Sequence, residues 1–184
     1  SDGAGKNSEA LLAAYIVRAY TLAMEGGHVE KYFWNEFIRA SLYGDSYEGR
    51  FGILQGRTYS TPLAARPTFL SMSNMNSKLA GYDYKESFNS GTIHNCRFEN
   101  ANGEKTYVIW SESGENTSVD LGSKMVLKTD IYGNEELLFS ENGVYNINAG
   151  VEPAYYEPKQ ADKFEYSYNA TSGICSVLGY IDSK

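Results

Sequence analysis

The chain has 184 residues, with 16 Lys and Arg against 23 Asp and Glu, and a formal net charge of -7. This balance argues against a nucleic-acid partner, because phosphate binding requires clustered cations. No apolar run reaches the roughly 18 to 20 residues that a bilayer span requires, so no membrane partner is expected. The sequence has neither a phosphate-binding glycine motif nor a metal-ligand spacing, and no cofactor is predicted.

The first predicted element is a helix over residues 7–25. Apolar residues recur at helical spacing from Leu12 onward, and the pair Gly26-Gly27 is typical of a helix end. The next run, VEKYFWNEFI at residues 29–38, has the length and aromatic content of a buried strand. The two segments together predict an αβ unit.

A polar loop and a second helix are predicted next. Residues 39–61 are rich in Gly, Tyr and Ser and contain one apolar island, FGIL at 51–54. The second helix is predicted over 67–80, because Pro67 suits the first helical position and Gly81 a terminator. Its apolar face consists of Phe69, Met72, Met75 and Leu79.

From about residue 90 the apolar period changes from helical to alternating. His94, Cys96 and Phe98 share one face of a predicted strand, and Asn102-Gly103 predicts a tight turn. Further strands are predicted at 107–110, 117–121, 125–130, 136–139, 144–147, 154–156, 163–168 and 173–181. Short strands separated by glycine-marked turns predict an antiparallel β-sandwich.

The order of these features resembles the C-terminal part of clan-A glycoside hydrolases, especially xylosidase-like and cellulase-like members with an appended β-domain. The segments that carry the resemblance are AAYIVRAYTLAMEGG, VEKYFWNEFI, FGIL, TPLAARPTFLSMSNMNSKLAG, YVIWSESG, DIYGNE and VEPAYYE. The resemblance implies an α+β chain: residues 1–88 would hold helix 7, strand 8 and helix 8 of a (β/α)8 barrel. Residues 89–158 would form an antiparallel β-sandwich, and 159–184 extra β-strands or the start of a further β-unit.

The implied function is hydrolysis of glycosidic bonds in a polysaccharide or oligosaccharide, with retention of configuration. Retaining hydrolysis requires two carboxyl groups about 5 Å apart, and in the resembled families both glutamates would precede Ser1. The chain alone is therefore expected to be inactive, with the remainder of the barrel, in the same or another chain, as its partner and a carbohydrate as substrate. The first residues show no signal-peptide pattern, yet an extracellular, periplasmic or cell-surface location is favoured.

The predicted substrate-binding residues lie at the end of the segment that the resemblance assigns to the eighth strand. In the resembled families a Trp there floors the subsite of the cleaved sugar, which implies this role for Trp34. Glu36 has the same strand parity as Trp34 and is predicted to accept hydrogen bonds from sugar hydroxyls, with Asn35 beside it. An Asn-Glu pair is also the family's acid/base signature, so Glu36 remains a catalytic candidate.

Two other functions stay open at this point. The β-region is alternatively a noncatalytic carbohydrate-binding or structural module, whose glycan contacts would come from Tyr107, Trp110, Tyr155 or Tyr156. The whole chain is alternatively a self-contained α+β protein.

Several potential ligands have simpler structural interpretations. Residues 130–134 predict a β-turn rather than a calcium loop, and His94 predicts a packed sandwich histidine rather than a metal ligand. Cys96 and Cys175 lie 79 positions apart (175 minus 96) and predict two buried thiols.

Overall fold

The computed structural model describes residues 9–27, 29, 31–35, 37–38, 52–56 and 63–159, and the backbone of residues 163–169 and 174–181. In this part of the chain two helices precede ten strands. They are α1 (Glu9–Glu25), α2 (Pro67–Leu79), β1 (Tyr82–Ser87), β2 (Ile93–Asn100), β3 (Lys105–Ser111), β4 (Glu115–Asp120), β5 (Met125–Asp130), β6 (Glu135–Phe139), β7 (Val144–Ala149), β8 (Ala154–Lys159), β9 (Lys163–Asn169) and β10 (Ile174–Ile181).

Helix α1 ends at the predicted glycine pair. The amides of Gly26 and Gly27 donate hydrogen bonds to the carbonyls of Leu22 and Met24, which closes the last turn. Gly27 has a φ of 66°, a conformation that glycine adopts without steric cost. Neither described helix has the length and apolarity required to cross a bilayer.

Helix α2 starts at the predicted proline. Pro67 lies in the first turn, where its missing N–H removes no helical hydrogen bond. Met75 and Leu79 of the predicted apolar face are buried, and Phe69 and Met72 pack against the same core. The helical period of the sequence is therefore confirmed here.

The main sheet has six antiparallel strands in the order β1-β2-β3-β8-β5-β6. β4 and β7 form a separate two-stranded sheet, and β9 pairs with β10. Each strand predicted from residue 90 onward has a counterpart in the structure. The sequence does not predict β1, whose six residues YDYKES are half charged and lie at the sheet edge.

β1 also places the start of the sheet at Tyr82, upstream of the predicted boundary at residue 89. Its register with β2 runs from Tyr82 opposite Asn100 to Ser87 opposite Cys96, so β1 is an integral strand of the sheet. The assignment of residues to barrel, sandwich and further β-unit otherwise stays a prediction.

The six-stranded sheet is covered on both faces. On one face its side chains pack under α1 and α2, and we call this cluster the helix-side core. Its sheet members are Cys96, Phe98, Val108, Trp110 and Tyr155, and Ile131 of the turn after β5 joins them. On the other face the sheet packs against β4 and β7, and we call this cluster the second-sheet core. Its main-sheet members include Tyr107, Ile109, Val126 and Tyr156.

This double coverage explains the burial of β3. Every residue of β3 after Lys105 is buried, because successive side chains point to opposite faces and both faces are covered. Each large apolar side chain buried in this way contributes about 1.5 to 3 kcal/mol. The helices and the β-strands therefore share one continuous core rather than forming two units in loose contact.

A buried arginine joins the start of α1 to the start of α2. Arg66 is 3% exposed and makes a two-pronged ion pair with Glu9, with Nε to Oε2 at 2.9 Å and Nη2 to Oε1 at 2.6 Å. Its Nη1 donates to the carbonyl of Gly52. Bidentate pairs of this kind fix geometry as well as adding energy, so Arg66 fixes three separated segments in one arrangement.

The structure corrects the prediction of a strand at residues 29–38. Of its described residues, only Ile38 takes part in a ladder, as an isolated parallel bridge with Leu54. A strand exists through ladder hydrogen bonds to its neighbours, and the β-bridge at Ile38 is the only such pairing among the described residues of this segment. The period and aromatic content of the segment do not show which strands would pair with it.

Candidate functional site

The candidate site is the aromatic segment at residues 29–38, which follows α1. Near its start the rings of Tyr20 and Tyr32 lie 4.5 Å apart at 59°, and the Tyr20 hydroxyl donates to the carbonyl of Tyr32 at 3.2 Å. Burial raises the pKa of Tyr20, with a further contribution from Tyr32. These contacts fix the segment against the C-terminal half of α1.

The end of the segment is held by the FGIL island. The carbonyl of Phe37 accepts hydrogen bonds from the amides of Ile53 at 3.1 Å and Leu54 at 2.9 Å. Leu54 also bridges Ala65 in antiparallel fashion. Ile53 is buried in the helix-side core, so the predicted apolar island anchors the candidate site to the rest of the fold.

The three predicted substrate-binding residues differ in their surroundings. Trp34 is partly buried and packs against the helix-side core. Asn35 is exposed, and Glu36 lies outside the described residues. Trp34 therefore contacts the core beneath the helices while its neighbour Asn35 is exposed. The sugar-binding role of all three residues stays a prediction.

The segments that carry the barrel resemblance present most of the exposed apolar side chains. Of the twelve large apolar side chains exposed among the described residues, eight lie before residue 80. We use the name leading apolar surface for these eight side chains: Tyr15, Leu22, Val29, Tyr32, Phe33, Phe37, Leu63 and Leu70. Phe33 is 84% exposed and Phe37 59%, and large exposed aromatic side chains so near one another in the chain are candidates for cover by a partner.

The four aromatic residues predicted as an alternative glycan site are buried, and that prediction is wrong. Trp110 and Tyr155 belong to the helix-side core, and Tyr107 and Tyr156 to the second-sheet core. None is more than 6% exposed. Stacking on a sugar requires an accessible ring face, so these residues cannot form a binding platform in this fold.

Lys78 forms ion pairs with two carboxylates, those of Glu135 and Glu157. The ammonium of Lys78 lies 3.1 Å from Glu135 Oε1 and 2.7 Å from Glu157 Oε1. Burial favours the neutral form of Glu157, but hydrogen bonds from Lys159 and Lys78 outweigh it and lower the pKa of this carboxyl. A glycosidase general acid requires a raised pKa, so this group is a structural ion network and not a hydrolytic pair.

The predicted packing histidine is confirmed. The His94 ring stacks on Trp110 with centroids 4.6 Å apart and an angle of 7°, and its Nε2 lies 3.4 Å from Glu112 Oε1. Within the described residues no group of three or more His, Cys, Asp or Glu is arranged to hold a metal ion.

Two further predictions concern a turn and the cysteines. The turn at residues 130–134 is confirmed, with Asp130 Oδ1 accepting hydrogen bonds from the amides of Tyr132 and Asn134. Cys96 is a buried free thiol, and burial raises its pKa to about 11. The side chain of Cys175 lies outside the described residues.

Comparison with known proteins supports a glycoside-hydrolase fold. No protein-family model matches the chain, and no curated protein sequence matches it significantly. Among solved structures, the chain is similar to a family 39 glycoside hydrolase from the gut symbiont Bacteroides cellulosilyticus WH2, with a TM-score of 0.69 and 25% sequence identity. The match covers 80% of this chain and 30% of that enzyme.

A second solved structure is an α-amylase from Anoxybacillus, with a TM-score of 0.41 and 15% identity over 63% of this chain and 26% of that one. This similarity is too low to support any statement about the chain. The family 39 match confirms the predicted resemblance at the level of the glycoside-hydrolase fold. The chain spans only about 30% of the length of that enzyme.

Sequence reasoning missed two features that position the candidate site. The Arg66–Glu9 pair joins residues 57 positions apart, and no local pattern indicates such a contact. The leading apolar surface does have a sequence signal, because α1 carries apolar residues such as Tyr15 and Leu22 outside its buried stripe. A helix that is apolar on most of its circumference indicates packing on more than one side.

Proposed function

We propose that this chain forms the C-terminal part of a retaining β-glycosidase, with its α1, residues 29–38 and α2 as the last elements of a (β/α)8 barrel. The observation that carries the proposal is the similarity to a family 39 glycoside hydrolase over 80% of the chain. The substrate would be a polysaccharide or oligosaccharide, and the two catalytic glutamates would belong to the part of the barrel outside this chain.

The leading apolar surface supports the need for a barrel partner. Phe33 and Phe37 project from a segment that has one ladder contact among its described residues, at Ile38. Adjacent parallel strands would pair with this segment and cover these rings. On α1, Tyr15 and Leu22 lie on the side away from the helix-side core, where a neighbouring barrel helix would pack.

The chemistry would divide between the two parts of the protein. Two glutamates about 5 Å apart would carry out the double displacement, one as acid/base and the other as nucleophile. Trp34, Asn35 and Glu36 would lie at the barrel mouth and orient the sugar, with Trp34 stacking on the ring. The FGIL contacts at Phe37 would hold this end of the segment in position.

The test is a chimera that joins the barrel of the Bacteroides family 39 enzyme to this chain from residue 9 onward, in place of the corresponding C-terminal part. We expect the 184-residue chain alone to hydrolyse neither aryl β-xylosides nor aryl β-glucosides, and the chimera to regain the hydrolytic activity of the parent enzyme. Strong turnover by the isolated chain would contradict the placement of both glutamates elsewhere.

A variant of the same chimera tests the role of Trp34. Trp34→Ala should lower kcat/KM by about tenfold or more, because ring stacking orients the sugar for attack. The control is Phe88→Ser, which changes an exposed aromatic residue of the sheet region and should leave kcat/KM unchanged. Equal effects of the two variants would remove Trp34 from the proposed site.

The second candidate function is a noncatalytic structural or carbohydrate-binding β-module. The shared helix-side core favours the structural form, because the sheet supports α1 and α2 directly. Affinity electrophoresis of the chain on xylan and cellulose derivatives distinguishes a structural module from a carbohydrate-binding one. Retardation would indicate a glycan-binding surface elsewhere on the sheet, whereas unchanged mobility supports a structural role.

A further inference from the structure

The FGIL island is held from two sides. On one side the carbonyl of Phe37 accepts hydrogen bonds from the amides of Ile53 and Leu54. On the other side Arg66 contacts the same stretch twice, since its amide donates to the carbonyl of Ile53 at 3.2 Å and its Nη1 donates to the carbonyl of Gly52. The island therefore connects Arg66 directly to the end of the aromatic segment at residues 29–38.

Antiparallel hydrogen bonds make this connection rigid. The amide of Gln55 donates to the carbonyl of Ala64 at 2.9 Å, and the amide of Leu63 donates to the carbonyl of Gln55 at 3.2 Å. Leu63 has a φ of 60°, a left-handed conformation that is unfavourable for a leucine because of its Cβ. Such a conformation persists only where the surrounding contacts determine it. The stretch that leads to Arg66 is therefore held in one geometry.

Glu9 determines the direction of the Arg66 side chain. Arg66 is 3% exposed, so its donors face protein groups rather than bulk water. The two oxygens of Glu9 accept from Nε and Nη2, and this bidentate contact fixes the plane of the guanidinium group. In that plane Nη1 points to the carbonyl of Gly52. The start of α1 thus orients the group that holds the FGIL island.

Trp34 is linked to the FGIL island by two routes. Along the chain it lies three residues before Phe37, whose carbonyl the island binds. Through packing it contacts the helix-side core, in which Ile53 of the island is buried. A displacement of the island would therefore reach Trp34 both through the backbone and through the core.

We infer that Arg66, oriented by Glu9, is a positioning residue for the sugar-binding end of residues 29–38. It acts through the FGIL island and Phe37 on Trp34, and not by contacting the sugar. The structural coupling between Arg66 and Trp34 is a property of this chain, whereas its effect on hydrolysis rests on the proposed glycosidase function. The two parts are tested separately.

Fluorine NMR of the 184-residue chain, labelled with fluorotryptophan, tests the structural coupling without any enzymatic activity. The chain has two tryptophans, so the spectrum has one resonance for Trp34 and one for Trp110, which Trp34→Phe assigns. Arg66→Lys keeps the charge but not the planar fork that reaches both Glu9 and Gly52. It should shift or broaden the Trp34 resonance and leave that of Trp110, 1% exposed in the sheet, in place.

Two further variants complete this experiment. Glu9→Gln removes the anchoring charge at a side chain that is 45% exposed, and it should change the Trp34 resonance in the same direction. The control is Arg97→Lys, which alters another Arg–Glu pair, to Glu86 at 2.6 Å, and should leave the Trp34 resonance unchanged.

Two results would overturn the coupling. One is a Trp34 resonance that stays in place in both Arg66→Lys and Glu9→Gln. The other is an equal change of the Trp34 and Trp110 resonances, because Arg66 would then support the fold as a whole. If Arg66→Lys unfolds the chain, the milder Glu9→Gln decides between these results.

A double-mutant cycle in the chimera with the family 39 barrel tests the effect on hydrolysis. Arg66→Lys should lower kcat/KM by about tenfold, because a small misplacement of a substrate-orienting group is costly. In the Trp34→Ala background the same change should cost about twofold or less, since the contact with the sugar is already lost. Equal losses in both backgrounds would show that Arg66 does not act through Trp34.

The two experiments separate the inference from the proposed function. A chimera without activity would contradict the proposed function, and the fluorine spectra of the isolated chain would still decide whether Arg66 positions Trp34. An active chimera that depends on Trp34, with equal losses from Arg66→Lys in both backgrounds, would overturn the positioning role alone.

Discussion

Glu157 shows how a single partly buried side chain connects α2 to the sheet. Hydrogen bonds from Lys159 and Lys78 lower the pKa of Glu157 below its ordinary value of 4.5 although burial acts in the opposite direction. Burial also opposes the charged form of Lys78, but its carboxylate partners raise the pKa of Lys78 above 10.5. Both groups are therefore charged across the neutral range.

The shifts predict how stability changes with pH. A lowered carboxyl pKa contributes stability that is present above about pH 4.5 and is lost as the pH falls through the folded pKa. A raised lysine pKa contributes stability below about pH 10.5 that is lost as the pH rises through the folded pKa. We expect Lys78→Met to reduce the acid-induced loss of unfolding free energy between about pH 5 and pH 3, measured by urea denaturation.

The matched control for this prediction is Lys128→Met. Lys128 pairs with Glu136 at 3.2 Å, but Glu136 is exposed and Lys128 only partly buried, and such surface pairs contribute little. Its pH dependence should follow that of the unmodified chain. If Lys78→Met shows the same acid-induced loss as the unmodified chain, the interaction of Lys78 with Glu157 does not set this titration.

At the scale of elements, α1 has one face in the core and another at the surface. Ile16 is buried in the helix-side core, and its neighbour Tyr15 belongs to the leading apolar surface. Ile16→Ala should destabilise the chain by about 2 to 5 kcal/mol, because it leaves a cavity between helix and sheet. Tyr15→Ala should change the unfolding free energy by about 0.5 kcal/mol or less.

Chemical denaturation of both variants checks this prediction. A large loss for Ile16→Ala with little change for Tyr15→Ala would show that α1 is packed on the sheet in the isolated chain. Equal, small losses would instead indicate that α1 separates from the sheet, and that the two do not share a core.

The elements themselves were predictable wherever local patterns determine them. Helical spacing and the flanking Gly26 and Pro67 predict α1 and α2, and alternation with glycine turns predicts β2 onward. The strand prediction for residues 29–38 was wrong because strand pairing depends on neighbouring strands, which a local pattern does not reveal. The strand at residues 107–110 was predicted correctly. The sequence does not show that both faces of β3 are covered, so the prediction that Tyr107 and Trp110 are accessible to a glycan was wrong.

For the molecule as a whole, the leading apolar surface predicts self-association of the isolated chain. Aromatic residues at an uncovered surface associate with one another in the absence of their natural cover. We expect the chain to form concentration-dependent oligomers, and Phe33→Ser with Phe37→Ser to shift them toward the monomer. Size-exclusion chromatography with light scattering measures both states.

Phe88→Ser serves as the control, because Phe88 is 51% exposed but lies beside the sheet rather than in the leading apolar surface. It should leave the association unchanged. If the unmodified chain stays monomeric at all concentrations, this surface does not drive self-association, and the argument for a barrel partner is weakened.

The helix-side core also bears on how such a module can be exchanged between enzymes. A cut between residues 88 and 89 would separate α1 and α2 from Phe98, Trp110 and Tyr155, which they cover. A recombination event or an engineered fusion at that point would deliver a sheet with one bare apolar face. Breakpoints ahead of Glu9 keep this packing intact, so the smallest transplantable unit includes both helices together with the strands.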